Sequence, residues 1–338
     1  MTDVTTRLGD ELTSVMAWGA SALQAARVDS GASQVKLDGR LTILAGTANP
    51  PLAAAIAREL DVAIGACTID RFPDGEVAVQ LLEPVRRKEV YLVQPTSPPV
   101  DNHLFELFAL ADACRRAAAA RITAIVPYFG YGRADRRDGR PEPVMARVVA
   151  DLLETVGVDA VMTVDLHTPQ IEGFFRVPVD TLSAVQTLCR ALRDRLPSNP
   201  VVVAPDVGRM QLATQYAQAL GVPVTVLHKR RDGASRIKVT HVVGDVFNRS
   251  CLIVDDMIST GNTLAESIDT LLRASARPEM IIAATHGLFR PGARAKLDRS
   301  VVREVFVTDT VQVNEKDWAK LQVVPVAPAI AEVMEKRL

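Results

Sequence analysis

The pattern of hydrophobic and polar positions changes near residue 40. Before it, apolar side chains recur at helical spacing, at Leu8, Leu12, Val15 and Met16, which predicts an amphipathic helix. The run Asp-Ser-Gly-Ala-Ser at 29–33 then interrupts the pattern, as clusters of small and polar residues do. We therefore expect residues 1–39 to form a helical extension that packs on its own protomer or on a neighbouring one.

From residue 41 on, short and continuous apolar runs alternate with helical patterns. The runs are LTILAG, VYLVQ, TAIVPY, DAVMTVD, VVVAP, VPVTVL, CLIVDD, EMIIAAT and REVFVTD. Such runs are typical of parallel strands that helices cover on both faces. The series is too long for one small sheet, and 338 residues favour two domains. We predict an α/β fold with two doubly wound parallel-sheet domains, at 40–184 and 185–338, with the last strand and helix as candidates to pack back on the first domain.

Composition and charge exclude several classes of protein. Hydrophobic residues make up 48% and charged residues 23%, which is typical of a globular chain. A net charge of −1 gives no global field that favours nucleic acid. The four cysteines lie far apart, with no CxxC pair, which argues against a zinc site or a disulfide framework and suits a reducing compartment. No apolar run approaches the roughly 20 residues of a membrane span, and no signal peptide is predicted. We expect a cytoplasmic protein with neither a membrane nor a nucleic-acid partner.

The segment CLIVDDMISTGNTLAES at 251–267 carries the most specific chemistry. An apolar strand ends in Asp255 and Asp256, and a run of small residues then leads into a helix. That run is Ser259, Thr260, Gly261, Asn262 and Thr263. Hydroxyls and free N–H groups at a helix N-terminus favour a phosphate dianion, and acids at a strand end can accept hydrogen bonds from sugar hydroxyls. The segment therefore predicts a pentose 5-phosphate site; the alternative is a capped helix beside two solvated acids.

A second strand end, in VDLHTPQIEGFF at 164–175, places Asp165 and His167 on one face. Such a pair can bind a divalent cation, or the histidine can act as an acid or a base. A purely structural histidine is the alternative.

Three further segments combine basic or acidic residues with small ones. PYFGYGRADRRDGR at 127–140 offers four arginines that suit a polyphosphate, or else a solvated run of charges. HKRRDGASRIK at 228–238 suits a cationic loop over a phosphoryl-transfer site, and equally a solvated loop. An RNA patch would look similar but would carry interleaved aromatic residues. APDVGR at 204–209 could bind a metal or a pyrophosphate, or form an ordinary turn.

Together these segments resemble the ribose-phosphate diphosphokinase (PRPP synthetase) family, over roughly residues 41–330. The resemblance implies two phosphoribosyltransferase-type domains with the active site between them, in a homo-oligomer built from dimers. It implies that an intact diphosphoryl group moves from ATP to O1 of ribose 5-phosphate, with Mg²⁺ as cofactor, giving PRPP and AMP. A phosphoribosyltransferase that consumes PRPP and a non-catalytic regulatory paralogue remain the alternatives.

The resemblance also implies a role for each motif. RFPDGE would reach across a dimer to the adenine of the neighbour, YGRAD would bind the ATP phosphates, and HKRR would be a catalytic loop. The implied catalytic residues are Lys229, Arg231 and His167. The implied ATP-binding residues are Phe72, Asp74, Glu76, Arg133 and Asp138. The implied ribose-5-phosphate residues are Asp255, Asp256, Ser259, Thr260, Gly261, Asn262 and Thr263. Asp206 and Gly208 are implied for the pyrophosphate loop, and His167, Asp165 and Asp206 for the metal.

Three positions depart from the family pattern. Ala134 stands where a glutamine is usual, which weakens the expected strictness for adenine. Ser259 replaces an acid that is often present in the ribose-5-phosphate loop. Arg209 stands where a second glycine is usual, so the pyrophosphate loop is expected to differ.

Overall fold

The computed structural model describes residues 40–137, 139–232, 236–315 and 317–337, and for 229–232 and 236–240 it describes the main chain alone. The helix predicted within 1–39 lies outside the described residues. So do Asp138 and the side chains of Lys229 and Arg231.

Fourteen strands lie in the described part of the chain. They are β1 (Leu41–Ala45), β2 (Cys67–Arg71), β3 (Val77–Leu81), β4 (Glu89–Val93), β5 (Arg121–Val126), β6 (Ala160–Val164), β7 (Val179–Leu182), β8 (Pro200–Ala204), β9 (Val224–Asp232), β10 (Arg236–Val243), β11 (Ser250–Ile258), β12 (Met280–Gly287), β13 (Val302–Thr308) and β14 (Leu321–Val324).

The helices of the same part cover the faces of the sheets. They are α1 (Pro50–Glu59), α2 (Val100–Arg116), α3 (Met145–Thr155), α4 (Val185–Leu192), α5 (Met210–Leu220), α6 (Asn262–Arg273), α7 (Ala293–Leu297) and α8 (Ala327–Glu335), with 3₁₀ turns at Pro169–Phe174 and Val207–Arg209. None of them is long and apolar enough to cross a membrane.

Two mainly parallel sheets form the framework. The first has the order β1-β4-β5-β6-β7 and is parallel throughout. The second has the order β10-β9-β8-β11-β12-β13-β14, in which only β10 runs antiparallel to its neighbour. β6 and β12 are buried at every position, because side chains on both faces of a covered parallel sheet meet helices. The predicted α/β fold with parallel sheets is confirmed.

The strands β2 and β3 form a separate antiparallel hairpin beside α2. Its tip, residues 72–76, carries the motif FPDGE. At the base of the hairpin, Arg71 Nη2 donates to Glu106 Oε1 of α2 at 2.7 Å. The tip is therefore anchored at its base while its own residues project into solvent.

The helices α1 and α8 connect the two ends of the described chain. α1 begins with a proline behind Asn49, whose side chain accepts from Leu52 N at 3.3 Å, a normal N-cap. Its buried residue Ile56 shares one hydrophobic core with Ile330 and Met334 of α8. That core continues beneath both sheets, so the end of the second half packs on a helix of the first.

Candidate active site

A polar cleft lies where the carboxyl ends of strands from the two sheets face each other, the usual position for a ligand in such sheets. Its volume is ≈ 260 Å³. The first half contributes Arg133, after β5, and His167, after β6. The second half contributes Asp206 and Arg209, after β8, and the acids and small residues at the end of β11. Residues that the sequence separates by more than a hundred positions thus line one cleft.

Asp255 and Asp256 lie inside β11, because the parallel pairing of β11 with β12 continues to Ile258. Both residues are buried, with 8% and 5% of their surface exposed. Asp255 Oδ1 accepts from Asp256 N at 2.9 Å, and Asp256 Oδ2 lies 2.6 Å from His167 Nδ1. The strand therefore holds the acids rigidly and sets one of them against a histidine from the other half.

Arg209 reaches into this group from the 3₁₀ turn before α5. Its Nε donates to Asp255 Oδ1 at 3.1 Å, and its Nη2 lies 3.1 Å from Asp256 Oδ2. Its Nη1 donates to the main-chain oxygen of His167 at 3.1 Å. Four side chains thus form one largely buried polar cluster, which we call the acid cluster: Arg209, His167, Asp255 and Asp256.

The acid cluster separates the pKa values of its two carboxyl groups. Burial and the neighbouring charge of Asp256 raise the pKa of Asp255 well above its ordinary value. Burial also pushes the pKa of Asp256 upward, but the hydrogen bond from His167 and the charge of Arg209 outweigh it and lower that pKa to about 2. Asp256 is therefore the carboxylate that stays ionised, and Asp255 is the one that takes up a proton more readily.

The ring of His167 is fixed by its short contact with Asp256. We assign the Nδ1 proton to that 2.6 Å contact, since a carboxylate is the better acceptor. Arg209 Nη2 lies 2.8 Å from Nδ1 and 3.3 Å from Nε2, so the guanidinium borders the ring beside Asp256. Fixing one ring nitrogen in this way is how proteins aim the other at a ligand or a proton.

The loop from Ser259 to Thr263 forms the floor of the cleft beside the acids. Gly261 adopts a left-handed conformation with φ of 75° directly before α6, which disfavours any residue with a side chain. No side chain caps the described N-terminus of α6, so its first N–H groups remain available to an anion. Lys296 Nζ donates to Thr260 O at 2.9 Å and adds a positive charge nearby. This geometry suits a phosphate group.

Asp165 lies behind His167 and links the two halves of the chain through a hydrogen bond. Its Oδ2 accepts from Thr285 Oγ1 of β12 at 2.6 Å and from Ala184 N at 3.0 Å. Its main-chain oxygen lies 3.3 Å from Nε2 of His286. Burial lowers the pKa of His286, so this histidine is neutral. One carboxylate oxygen of Asp165 is thus already engaged, and its role as a metal ligand stays a prediction.

Asp206 lines the cleft, and Gly208 follows it on the exposed 3₁₀ turn. A Cβ at Gly208 would lie 3.2 Å from Asp206 Oδ1, so a larger residue would crowd the carboxylate. Among the described residues, no three His, Cys, Asp or Glu side chains converge on a point where they alone could hold a metal ion.

A larger cavity of ≈ 850 Å³ adjoins the cleft and shares Arg133 and Ser259 with it. Most of its walls lie outside the motifs named above and include Pro99, Asn102 and Arg290. Arg290 follows β12, and its place after an apolar strand was the available signal. Ala134 also lines this cavity.

The remaining predicted residues, on the hairpin tip, line neither cavity in a single chain. Phe72 is 55% exposed. The tip is closed locally, since Asp74 Oδ1 accepts from Glu76 N at 3.1 Å and Phe72 N donates to Glu76 O at 2.8 Å. The structure therefore brings Arg133, His167, Asp206 and the β11 segment together but leaves Phe72, Asp74 and Glu76 apart from them.

Comparison with known proteins adds family information to this geometry. The family model for the N-terminal domain of ribose phosphate pyrophosphokinase matches residues 41–157, and the model for the phosphoribosyl transferase domain matches 182–319. The ribose-phosphate pyrophosphokinase of Neisseria meningitidis serogroup A is 40% identical over 300 residues, which cover 88% of this chain and 91% of that relative. The protein of the same name from Vibrio parahaemolyticus is 42% identical over 300 residues, covering 88% and 95%.

A solved structure shows the same likeness in three dimensions. The crystal structure of phosphoribosylpyrophosphate synthetase from Mycobacterium smegmatis matches with a TM-score of 0.83 at 40% identity, covering 88% of this chain and 98% of that one. The predicted phosphoribosyltransferase-type fold is thereby confirmed.

Proposed function

The chain belongs to the ribose-phosphate pyrophosphokinase family, and from this premise we propose how its residues share the reaction. The enzyme transfers the diphosphoryl group of ATP to ribose 5-phosphate and so makes PRPP and AMP. The observation that supports our assignment best is the single cleft in which the β11 acids and the phosphate loop meet His167 and Arg133.

Ribose 5-phosphate is assigned to the second half. Its phosphate would bind the loop from Ser259 to Thr263, where the N-terminus of α6 is open to an anion. Its hydroxyls would then point toward Asp255 and Asp256, which lie on the same wall. Since Arg209 and His167 contact Asp255 Oδ1 and Asp256 Oδ2, the second oxygen of each carboxylate is the proposed acceptor.

ATP is assigned to the first half, with Arg133 on its phosphates. Arg133 is exposed at the boundary between the cleft and the larger cavity, so one guanidinium could contact a triphosphate that spans both. Asp138 is proposed as a further contact. We accordingly propose a functional division at residues 184 and 185, between an ATP-binding and a ribose-5-phosphate-binding half.

Mg²⁺ is proposed to arrive with ATP. This ion is usually bound by one or two protein groups together with substrate phosphates and water, which fits a cleft whose described side chains form no complete cage. His167, Asp206 and Asp165 are proposed to hold it; the first two line the cleft, and Asp165 lies behind them. When bound, the ion would neutralise charge on the β- and γ-phosphates.

The chemical step breaks the bond between the α–β bridging oxygen and the β-phosphorus, and forms one from O1 of the ribose to that phosphorus. O1 releases its proton to solvent, and AMP leaves with the bridging oxygen. Such transfers depend on positioning and on neutralising charge. Lys229 and Arg231 are proposed to close on the transferring group, and His167 is proposed to act beside it, in the orientation that Asp256 fixes.

The hairpin tip is proposed to serve a second copy of the chain. Phe72, Asp74 and Glu76 line neither cavity of their own chain, and Phe72 is 55% exposed. A tip that contacts the adenine of a neighbouring protomer would explain both facts. It would also require a homo-oligomer built from dimers, which we propose to be cytoplasmic.

One assay tests the function: AMP and PRPP are measured from ATP, Mg²⁺ and ribose 5-phosphate. A phosphoribosyltransferase would instead consume PRPP, and a regulatory paralogue would form neither product. Lys229→Ala and Arg231→Ala should each lower kcat by about 10²-fold with little change in KM, because their contacts form mainly in the transition state. Arg303→Ala, which removes an exposed pair with Glu279, is the control. An unchanged kcat with a raised KM would contradict the assignment.

A further inference from the structure

Arg209 occupies the centre of the acid cluster. Its three guanidinium nitrogens contact Asp255, Asp256 and the main-chain oxygen of His167, each at 3.1 Å. The side chains are 16% exposed for Arg209, 12% for Asp255 and 6% for Asp256. All three groups are therefore largely removed from water, and a charge buried in this way needs a partner of opposite sign.

Arg209 contacts the same carboxylate oxygens that a metal ion between the two acids would bind. A divalent cation between the acids would bind Asp255 Oδ1 and Asp256 Oδ2 directly, at about 2.0–2.1 Å for Mg²⁺. The guanidinium already holds both atoms, and an ion beside it would experience repulsion from a like charge in a poorly solvated place. A cation and Arg209 cannot both occupy this position.

The fork shape of Arg209 adds what a spherical ion lacks. Nη1 reaches the His167 main chain while Nε and Nη2 hold the acids. One side chain from the β8–α5 connection thus ties β11 of the second half to the strand end that carries His167 in the first. The turn that carries it is short, and Arg209 N donates to Asp206 O at 3.2 Å, so its position is well defined.

We propose that Arg209 is the resident cation of the acid pair and takes the place of a metal ion between Asp255 and Asp256. It is a positioning residue: it neutralises the acids and holds His167 before any substrate arrives. The inference rests on the proposed function in one respect, namely that the acid pair belongs to the ribose-5-phosphate site. It implies that Mg²⁺ enters this cleft only with the nucleotide.

The test measures the binding of Mn²⁺, a probe for oxygen-liganded Mg²⁺ sites, to the full-length protein without substrates. Free Mn²⁺ is followed by electron paramagnetic resonance. Arg209→Met removes the charge but keeps an unbranched side chain, and should bind Mn²⁺ at least about tenfold more tightly than the wild type. The double variant Arg209→Met with Asp256→Asn should lose this gain. Arg195→Met also removes a cation from a largely buried acid, Glu304, and should show no gain in Mn²⁺ affinity.

Arg209→Lys separates charge from shape. It keeps a cation beside the acids, so it should bind no more Mn²⁺ than the wild type. It loses the planar fork, so kcat should fall while KM for ATP stays nearly unchanged.

The proposal is overturned if folded Arg209→Met shows no gain in Mn²⁺ affinity. It is overturned equally if Asp256→Asn, made in the otherwise wild-type chain, weakens Mn²⁺ binding, because a metal would then already bind the acids with Arg209 present. This second comparison decides the matter even if Arg209→Met does not fold. A wild type that makes no PRPP would refute the proposed function alone, since the titration uses no substrate.

Discussion

The acid cluster and the hairpin tip both carry charged side chains, yet those of the cluster are largely buried and those of the tip lie at the surface. Asp256 is 5% exposed and is held by His167 and Arg209. Phe72 is 55% exposed, and the contacts of Asp74 and Glu76 stay within the turn. The side chains of the acid cluster find their partners within one chain, whereas the tip lines neither cavity of its own chain.

The difference shows where each part of the site is organised. Groups that act on charge are held by buried partners, because fixed dipoles and charges need no rearrangement during the reaction. A group that contacts only the rim of a substrate can wait on the surface for a second copy to supply the rest of the pocket. Each of the following experiments either widens this contrast or removes it.

The largest effect is expected from Asp256→Asn. It keeps the shape of the side chain but removes the charge that pairs with Arg209 and His167, so kcat/KM should fall by at least about 10²-fold. Calorimetry should show ribose 5-phosphate binding weakened by about 1.5–3 kcal/mol, the worth of a charge-assisted hydrogen bond, and ATP binding changed far less. Asp112→Asn, on the exposed face of α2, is the matched control. Equal losses for both ligands would place the acid in the nucleotide site.

The next largest effect concerns the tip. Phe72→Ala with Glu76→Ala should raise KM for ATP at least about tenfold, since the loss of a desolvated aromatic anchor at an interface typically weakens binding by that much. The melting temperature should not change, because Phe72 is exposed. Val323→Ala, another exposed apolar position, serves as the control.

Mixing two variants in one dimer tests whether the tip acts on the neighbouring protomer. At an ATP concentration well below KM, tip-variant and Asp256→Asn protomers should each keep at most about a tenth of wild-type activity. When they are dissociated and reassembled at equal amounts, about a quarter of wild-type activity should be recovered. Half of random dimers are then mixed, and each has one intact site. No recovery from protomers shown to exchange would mean that each tip serves its own chain.

A smaller effect, on the melting temperature, is expected when the pH is lowered. The folded pKa of Asp256 is about 2, below the value of about 3.9 for an unfolded chain, so the fold favours the ionised form. This stabilisation is fully present above about pH 4 and is lost as the pH falls toward 2. The difference in melting temperature between wild type and Asp256→Asn should therefore shrink over that interval. Phe72→Ala, which changes no titrating group, should differ from wild type by a constant amount.

The smallest effect concerns the choice between nucleotide substrates with different bases. Ala134 lines the larger cavity without a polar group, so kcat/KM for GTP or CTP should lie within about tenfold of that for ATP. Ala134→Gln should increase the preference for ATP by no more than about tenfold. Strict ATP dependence in the wild type would mean that the tip, and not this cavity, recognises adenine.

Much of this site followed from the sequence, because parallel sheets collect their functional residues at strand ends. Asp255, His167 and the small residues before α6 each follow an apolar run, and all of them line the cleft. Their local patterns were sufficient to predict their place in the fold, and their chemistry stays a prediction.

The pairing of distant residues did not follow. His167 and Asp256 are 89 positions apart, and their contact depends on how the two sheets face each other. Arg209 was noted only as a departure from the family pattern, since no local pattern shows that a side chain will turn toward an acid on another strand. For Asp165, the sequence indicated a strand-end acid but not the hydroxyl of Thr285 that engages it.

The contact between α1 and α8 determines the order in which this protein can fold on the ribosome. Ala53 and Ile56 of α1 are buried together with Ile330 and Met334 of α8, and α8 follows every other described element. Through the synthesis of the second half, the nascent first half therefore lacks the part of this apolar contact that α8 supplies. Domains tend to fold in the order of their synthesis, and exposed apolar surface is what chaperones bind and what aggregates form from. We therefore expect the first half to keep apolar surface exposed until residues 327–335 have been made.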